Sequence, residues 1–373
     1  MSHVLFVTWD GGGNVPPAFA IAAQLRERGD DVRFLGHEGQ RASIEGHGFR
    51  FASYTHARPW EVLETRSGPA AALGYAGVFT DKGMGEDIAA AMAHEPTDFA
   101  VIDGLLVGAM RGAARAGLPY SVLVHTLLSV MDATLNRGPL ALIARLKGLN
   151  PRKLYEGADR VIVATLDTLD TAPSGSHAIY TGPMVTGSPA TVERPPVVLV
   201  SLSTTYIKGQ REVIQTILDS LADLPVSVVV TTGPAVSPAA LVSPANAEVH
   251  EFVPHAELMP RASLLVGHGG HATTMVALAH GVPMIVLPMS PTFDQPTIGR
   301  FIEQRGAGMA LKRTASAAEI RATAERVLSD DTFRAAAEAL GAQIRQHDAA
   351  ALAADALHGA RLAGRVAAPP AAG

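Results

Sequence analysis

Three glycines and two histidines in five residues, Gly267-His268-Gly269-Gly270-His271, are the densest chemistry in this chain. They follow the apolar run Ser263-Leu264-Leu265-Val266. They lead into an Ala-rich helical segment, a second apolar run from Pro283 to Leu287, and then Asp294-Gln295. The order reads as strand, glycine turn, helix, strand, loop. A short turn that opens a helix is a ready anion site: the first N–H groups of the helix have no intrahelical partner, and the helix dipole is positive there. His268 and His271 add side-chain donors, although His271 reads equally well as a plain helix-start residue. The stretch suits a phosphate or diphosphate held at the carboxyl edge of a parallel sheet.

A second glycine cluster, Gly11-Gly12-Gly13, follows the first apolar run. It invites a dinucleotide reading, but Pro16 stands where the third glycine of such a fingerprint belongs. Leu35-Gly36-His37 ends the second strand without a ribose-binding acid. A lone glycine turn is weak evidence, and the better motif at 267–274 argues against a nicotinamide or flavin enzyme.

These loops need strands and helices to hold them. Strands are expected at His3 to Thr8, Val32 to Leu35, Phe49 to Ser53, Phe99 to Ile102 and Tyr120 to Val124, with short pieces at Val161 to Ala164 and Ala178 to Tyr180. Helices are expected at Ala18 to Arg28, Glu38 to Gly46, Met84 to His94 and Val107 to Ala116. Tyr54 to Gly85 reads as a long irregular loop, a candidate wall of a binding site, and His125 to Leu149 as a cover over the cleft. After a Gly/Pro-rich linker the pattern restarts at Val197 to Leu202 and ends in three helices, about 317–328, 332–347 and 350–362. Strand alternating with helix at this spacing means βαβ units and a parallel sheet, here twice. The expected division is 1–185, a linker at 186–196, a second domain at 197–345, and a final helix with a frayed tail at 346–373. Ligands in such sheets bind outside the carboxyl ends of the strands.

Composition narrows the class. The 373 residues suffice for two domains with cores of their own. A net charge of -5 offers no basic excess for nucleic acid. No apolar run approaches the roughly 18 residues of a membrane span. The absence of cysteine excludes disulfides, thiol catalysis and Cys-based metal sites, and fits a reducing cytoplasm. The start MSHVLFVTWD runs straight into a strand, unlike a signal peptide.

His268-Gly269-Gly270, Thr273-Thr274, Ala277-Leu278, Gly281-Val282-Pro283, Pro288 and Asp294-Gln295 resemble the donor signature of family 1 nucleotide-sugar glycosyltransferases, in particular the bacterial natural-product branch. The resemblance extends to the whole chain in length and order of parts. It implies an α/β chain of GT-B architecture, two facing Rossmann-like doubly wound domains with a deep interdomain cleft, the last helix crossing back onto the first domain. It implies an inverting transfer of a sugar from a TDP- or UDP-sugar to a small-molecule aglycone, O-linked, with no cofactor or metal. Nucleic acid and a membrane span are not expected as partners; a homodimer is left open.

The resemblance also distributes roles. Thr273, Thr274, His268, Gly269 and Gly270 would hold the diphosphate. Phe252, Val253 and His255 would meet the base, Ser203 the phosphates or base, and Asp294 and Gln295 the sugar hydroxyls. Asp294 also reads as a helix cap. Two departures stand out. Asn14, in Gly13-Asn14-Val15-Pro16, occupies the place of the family's catalytic histidine, and an amide cannot be a general base. Asp10 is the first replacement candidate, Asp103 the second and His125 the third; each also has a bland reading, as a cap, a strand-end acceptor and a packing residue respectively. Val276 occupies the place of an acid that holds ribose hydroxyls, which favours a deoxyribose nucleotide such as TDP. A helper protein that binds nucleotide without turnover, and a nucleotide-sugar epimerase, are the competing readings.

Overall fold

Val4 and Phe6 of the first strand, β1 (His3–Val7), pack into one apolar cluster, and Leu5 and Val7 into another. Successive side chains of a strand point to opposite faces, so β1 is covered on both sides. With β2 (Asp31–Gly36), β3 (Arg50–Ser53), β4 (Phe99–Asp103), β5 (Tyr120–Val124), β6 (Val161–Val163) and β7 (Ala178–Tyr180) it forms a parallel sheet in the order β3-β2-β1-β4-β5-β6-β7, whose edge strands β3 and β7 are less buried. A parallel sheet wrapped by helices is buried on both faces, which is why its central strands read as unbroken apolar runs. The computed structural model describes residues 1–61, 68–170, 177–204, 206–291 and 294–367.

A second parallel sheet is built from β8 (Val197–Ser201), β9 (Ser227–Thr231), β10 (Ala247–His250), β11 (Ala262–Gly267), β12 (Met284–Val286) and β13 (Gly308–Ala310), in the order β10-β9-β8-β11-β12-β13. The chain divides into two compact units, each around one sheet. Met1–Glu61, Gly68–Met184 and the stretch from Asp348 make the first, and Val185–His347 lies in the second. In both sheets the strand order reverses once. The reversal falls between β1 and β4 in the first sheet and between β8 and β11 in the second, the places where loops part and leave a crevice.

The final helix, Ala349–Ala367, returns to the first unit. Ala353, Ala354 and Leu357 join the cluster of Ala18, Ile21, Ala22 and Leu25 from the helix Val15–Glu27. Small alanines on both helices allow the close approach, and His358 Nε2 lies 2.6 Å from the buried Asp30 carboxylate. The linker is not a free tether: Ala190 N–H donates to the His280 carbonyl and Thr191 N–H to the Pro260 carbonyl, each over 2.8 Å.

The stretch expected as an irregular loop, 54–85, contains the helix Gly68–Phe79. Its sequence GPAAALGYAGVF has no charged residue, so it has no polar face from which a helical period could be read. The middle of that stretch, 62–67, and the tail from 368 lie outside the described residues. Tyr54 to Trp60 is pinned by Asp87: its buried carboxylate accepts the N–H groups of Thr55, His56 and Ala57 at 2.9 to 3.0 Å. Among the described residues no helix is long and apolar enough to cross a membrane.

Candidate functional site

In the first unit, the turn after β1 and the ends of β4 and β5 bring three polar side chains together. Asn14 sits at the N-cap of Val15–Glu27 but makes no side-chain capping bond. Its Nδ2 donates instead to the Trp9 carbonyl at 3.0 Å and to Asp103 Oδ2 at 3.1 Å. Carbonyl and carboxylate oxygens both accept, so the amide has one sensible orientation, and Oδ1 faces away from them. That oxygen is buried and accepts no hydrogen bond. Asp103, 5% exposed, accepts the Leu105 N–H at 2.9 Å with its other oxygen. His125 follows β5, the next strand in the sheet, and its Nδ1 lies 3.2 Å from Asp103 Oδ2. This is ion-pair distance, and the contact is not a hydrogen bond.

Asp10 stands apart from this trio. Its carboxylate lies beside Gly39, where an added Cβ would sit 3.3 Å from Oδ2, on the β2 side of β1 rather than the β4 side. Its main-chain carbonyl accepts the Trp60 indole N–H at 2.7 Å. Burial pushes its carboxyl above the ordinary range. The residue before it, Trp9, belongs to an aromatic cluster. Trp9 packs edge-on against Trp60 at 5.8 Å and against Phe79 at 5.0 Å. The chain has only two tryptophans, and their shared location was the available sign.

In the second unit, the loops after β8, β10, β11 and β12 carry the other candidates, all at the carboxyl edge of the sheet. The turn after β11 is shaped by its glycines. Gly269 has φ +78°, and a Cβ there would meet Val286 Cγ1 at 2.7 Å. A Cβ on Gly270 would meet His268 Nε2 at 2.5 Å, so the imidazole rests over a bare Cα. Gly270 caps the helix His271–Ala279 without a side-chain bond, which leaves the first N–H groups of that helix without intrahelical partners. Burial lowers the His268 pKa to about 4, with the Ser201 carbonyl pulling the other way. The ring is neutral at pH 7, and its Nδ1 is buried with no hydrogen-bond partner.

Around this turn the candidates differ in access. Thr273 is half-buried, whereas Thr274 is fully buried and its hydroxyl has no partner. His271 is buried, 8% exposed. Ser203 is buried, and its carbonyl accepts from Gln210 Nε2 at 2.6 Å. His255 Nε2 lies 3.1 Å from Ser201 Oγ, and burial lowers its pKa. Ser201, the last residue of β8, is thus a link between the loops after β8, β10 and β11 that sequence reading did not supply. Phe252 is 76% exposed, an apolar ring presented to solvent beside the half-buried Val253. Asp294 is the N-cap residue of Gln295–Gln304 but makes no capping bond with its side chain. Gln295 Oε1 accepts the N–H groups of Met289 and Ser290 at 2.8 and 3.0 Å, so its Nε2 is the end left for a ligand. A separate open cavity of about 490 Å³ lies at the start of the helix Gln210–Leu221, lined by Tyr206, Lys208 and Gln210. Its lining includes neither Ser203 nor the 267–271 turn.

Comparison with known proteins matches residues 215–354 to the C-terminal domain model of the erythromycin biosynthesis protein CIII-like family. That span contains Phe252 to His255, the glycine turn and Asp294-Gln295. 4'-Demethylrebeccamycin synthase of Lentzea aerocolonigenes is 26% identical over 96% of this chain and 99% of that protein. Demethyllactenocin mycarosyltransferase of Streptomyces fradiae is 33% identical over 44% of this chain and 35% of its own length. The calicheamicin glycosyltransferase CalG4 shares the two-sheet GT-B fold, with a TM-score of 0.79 and 23% identity over 99% of this chain and 100% of that one. In its parallel sheets, its glycine turn and these relatives, the chain is similar to bacterial natural-product glycosyltransferases of GT-B fold.

Proposed function

We propose that this chain transfers a deoxysugar from a TDP-sugar to a hydroxyl of a small natural-product aglycone, with inversion at the anomeric carbon and without a metal. The acceptor oxygen attacks the anomeric carbon from the face opposite the diphosphate. The new C–O bond forms as the bond to the diphosphate breaks, and the acceptor's proton passes to a base. The transition state is oxocarbenium-like, and negative charge grows on the departing diphosphate.

The observation that carries this reading is the turn at Gly267 to His271. It places the start of the helix His271–Ala279, whose dipole is positive there, beside a neutral imidazole whose Nδ1 is buried without a hydrogen bond. Fixed donors aimed at developing negative charge are the most effective stabilisers of such a step, because they need no reorganisation. Val276, half-buried on the helix that follows, offers no acceptor for a ribose 2′-hydroxyl, which supports TDP over UDP. The test is calorimetric titration with TDP and UDP, followed by transfer assays with a panel of TDP- and UDP-sugars. TDP should bind more tightly than UDP, and His268→Ala should weaken both. A His268→Ala variant that binds TDP as the parent does would sink the donor-site assignment.

A further inference from the structure

We propose that His125, oriented by Asp103, is the general base that takes the acceptor's proton, in place of the loop histidine that this chain lacks at Asn14. The proposal rests on the glycosyl-transfer reading above and assigns one residue within it.

Three observations carry it. Asp103 Oδ2 is shared between two nitrogens from different elements, Asn14 Nδ2 at 3.1 Å and His125 Nδ1 at 3.2 Å. A base needs an orienting partner, and a carboxylate at Nδ1 favours the tautomer with the proton there, leaving Nε2 as the basic nitrogen. Of the two nitrogens on Asp103, only that of His125 belongs to a side chain that can take a proton. Asp10 has no hydrogen bond or ion pair to the trio and leans to the other side of β1, beside Gly39.

The second observation is what else surrounds Asp103. Tyr54 and Tyr155 feel its charge, and burial together with that charge pushes both phenols well above their ordinary range. They stay neutral and do not compete for a proton near pH 7. Asn14 does not titrate. The third is position. Asp103 and Asn14 flank the reversal of strand order, and His125 follows the next strand, with its side chain 15% exposed. The imidazole is held by the sheet yet reachable.

The role of Asn14 follows. Its amide occupies one side of Asp103 Oδ2 as a neutral donor, so the carboxylate keeps its position although one histidine is missing. The proton moves from the acceptor oxygen to His125 Nε2 as the glycosidic bond forms, and the imidazolium so produced is paired with the Asp103 carboxylate.

The test uses the full chain, a TDP-sugar that it turns over and a phenolic acceptor such as 4-nitrophenol. His125→Gln should lower kcat by about 100-fold or more, in the range of a lost general base. It should leave TDP affinity unchanged and abolish the fall in kcat/KM on the acid side. Asp103→Asn should lower kcat and move that acid limb with little change in donor KM. Nitrogen-15 NMR of the imidazoles, assigned with His125→Gln, gives a readout that needs no acceptor: His125 should carry its proton on Nδ1 in the parent and lose that preference in Asp103→Asn. A His125→Gln enzyme within threefold of the parent, an acid limb removed by Asp10→Asn instead, or a proton on Nε2 would overturn the assignment. Absence of transfer to every acceptor despite TDP binding would strike the glycosyl-transfer reading itself, and the NMR result would still judge the pair.

Discussion

Asn14 and Asp103, 89 residues apart in sequence, are hydrogen-bonded at 3.1 Å across the point where the first sheet reverses its strand order. The amide supplies one of the donors that keep a 5% exposed carboxylate in place. Asn14→Ala should therefore cost about 1–3 kcal/mol of stability, the usual range for stripping a partner from a buried acceptor. Asn14→Asp should cost more, since it sets two carboxylates against each other. Urea denaturation of the two variants checks the order, and an aspartate variant as stable as the parent would contradict the geometry.

Gly270→Ala probes the other unit. The new methyl would fall 2.5 Å from His268 Nε2, so the ring must move off its seat. Loss of one hydrogen bond to a charged ligand corresponds to about a 10- to 100-fold fall in affinity. TDP titration should show that fall, with the far-ultraviolet spectrum of the parent retained. Unchanged affinity would mean that His268 does not meet the diphosphate.

Two buried histidines contribute to the acid sensitivity of the fold. Burial lowers the pKa of both His37 and His268 to about 4. Unfolded, each would take a proton near pH 6.5. Between those values the unfolded chain binds more protons, so these residues destabilise the fold as pH drops from about 6.5 towards 4 and have no effect above it. For His37, 4% exposed, the shift amounts to roughly 3 kcal/mol at the acid end. The urea midpoint should fall between about pH 7 and pH 5, and less steeply in His37→Asn. Equal slopes for parent and variant would remove His37 as a cause.

Val276→Glu should change nucleotide preference. A carboxylate on that helix would accept a hydrogen bond from a ribose 2′-hydroxyl, which UDP has and TDP lacks. One such bond amounts to about 1 kcal/mol, so the UDP-to-TDP affinity ratio should rise about fivefold to tenfold. A ratio that stays put would place the ribose away from this position.

The strands were legible because a sheet buried on both faces writes itself as apolar runs, as in Val197 to Ser201 and Ser263 to Val266. The glycine turn was legible because its backbone demands those residues. Other features were hidden for physical reasons. The helix Gly68–Phe79 has no polar face to give it a period. The contact of Asp103 with both Asn14 and His125 joins three loops that only the strand order brings together. Asp10 shares the Asn14 loop, but which side of β1 its carboxylate leans to is not written in that proximity. The tie between Gln295 Oε1 and the backbone at Met289 and Ser290 likewise depends on how the loop after β12 folds back.

Transfer itself is the most direct measurement. The chain would be incubated with TDP-deoxysugars and UDP-sugars against a collection of aromatic and polyketide-like alcohols, with nucleoside diphosphate release and glycoside formation followed by mass spectrometry. The predicted result is release of TDP that depends on the acceptor, together with a glycoside of inverted anomeric configuration. Tight TDP binding with neither release nor glycoside for any pair would contradict the account and mark the chain as a nucleotide-binding helper.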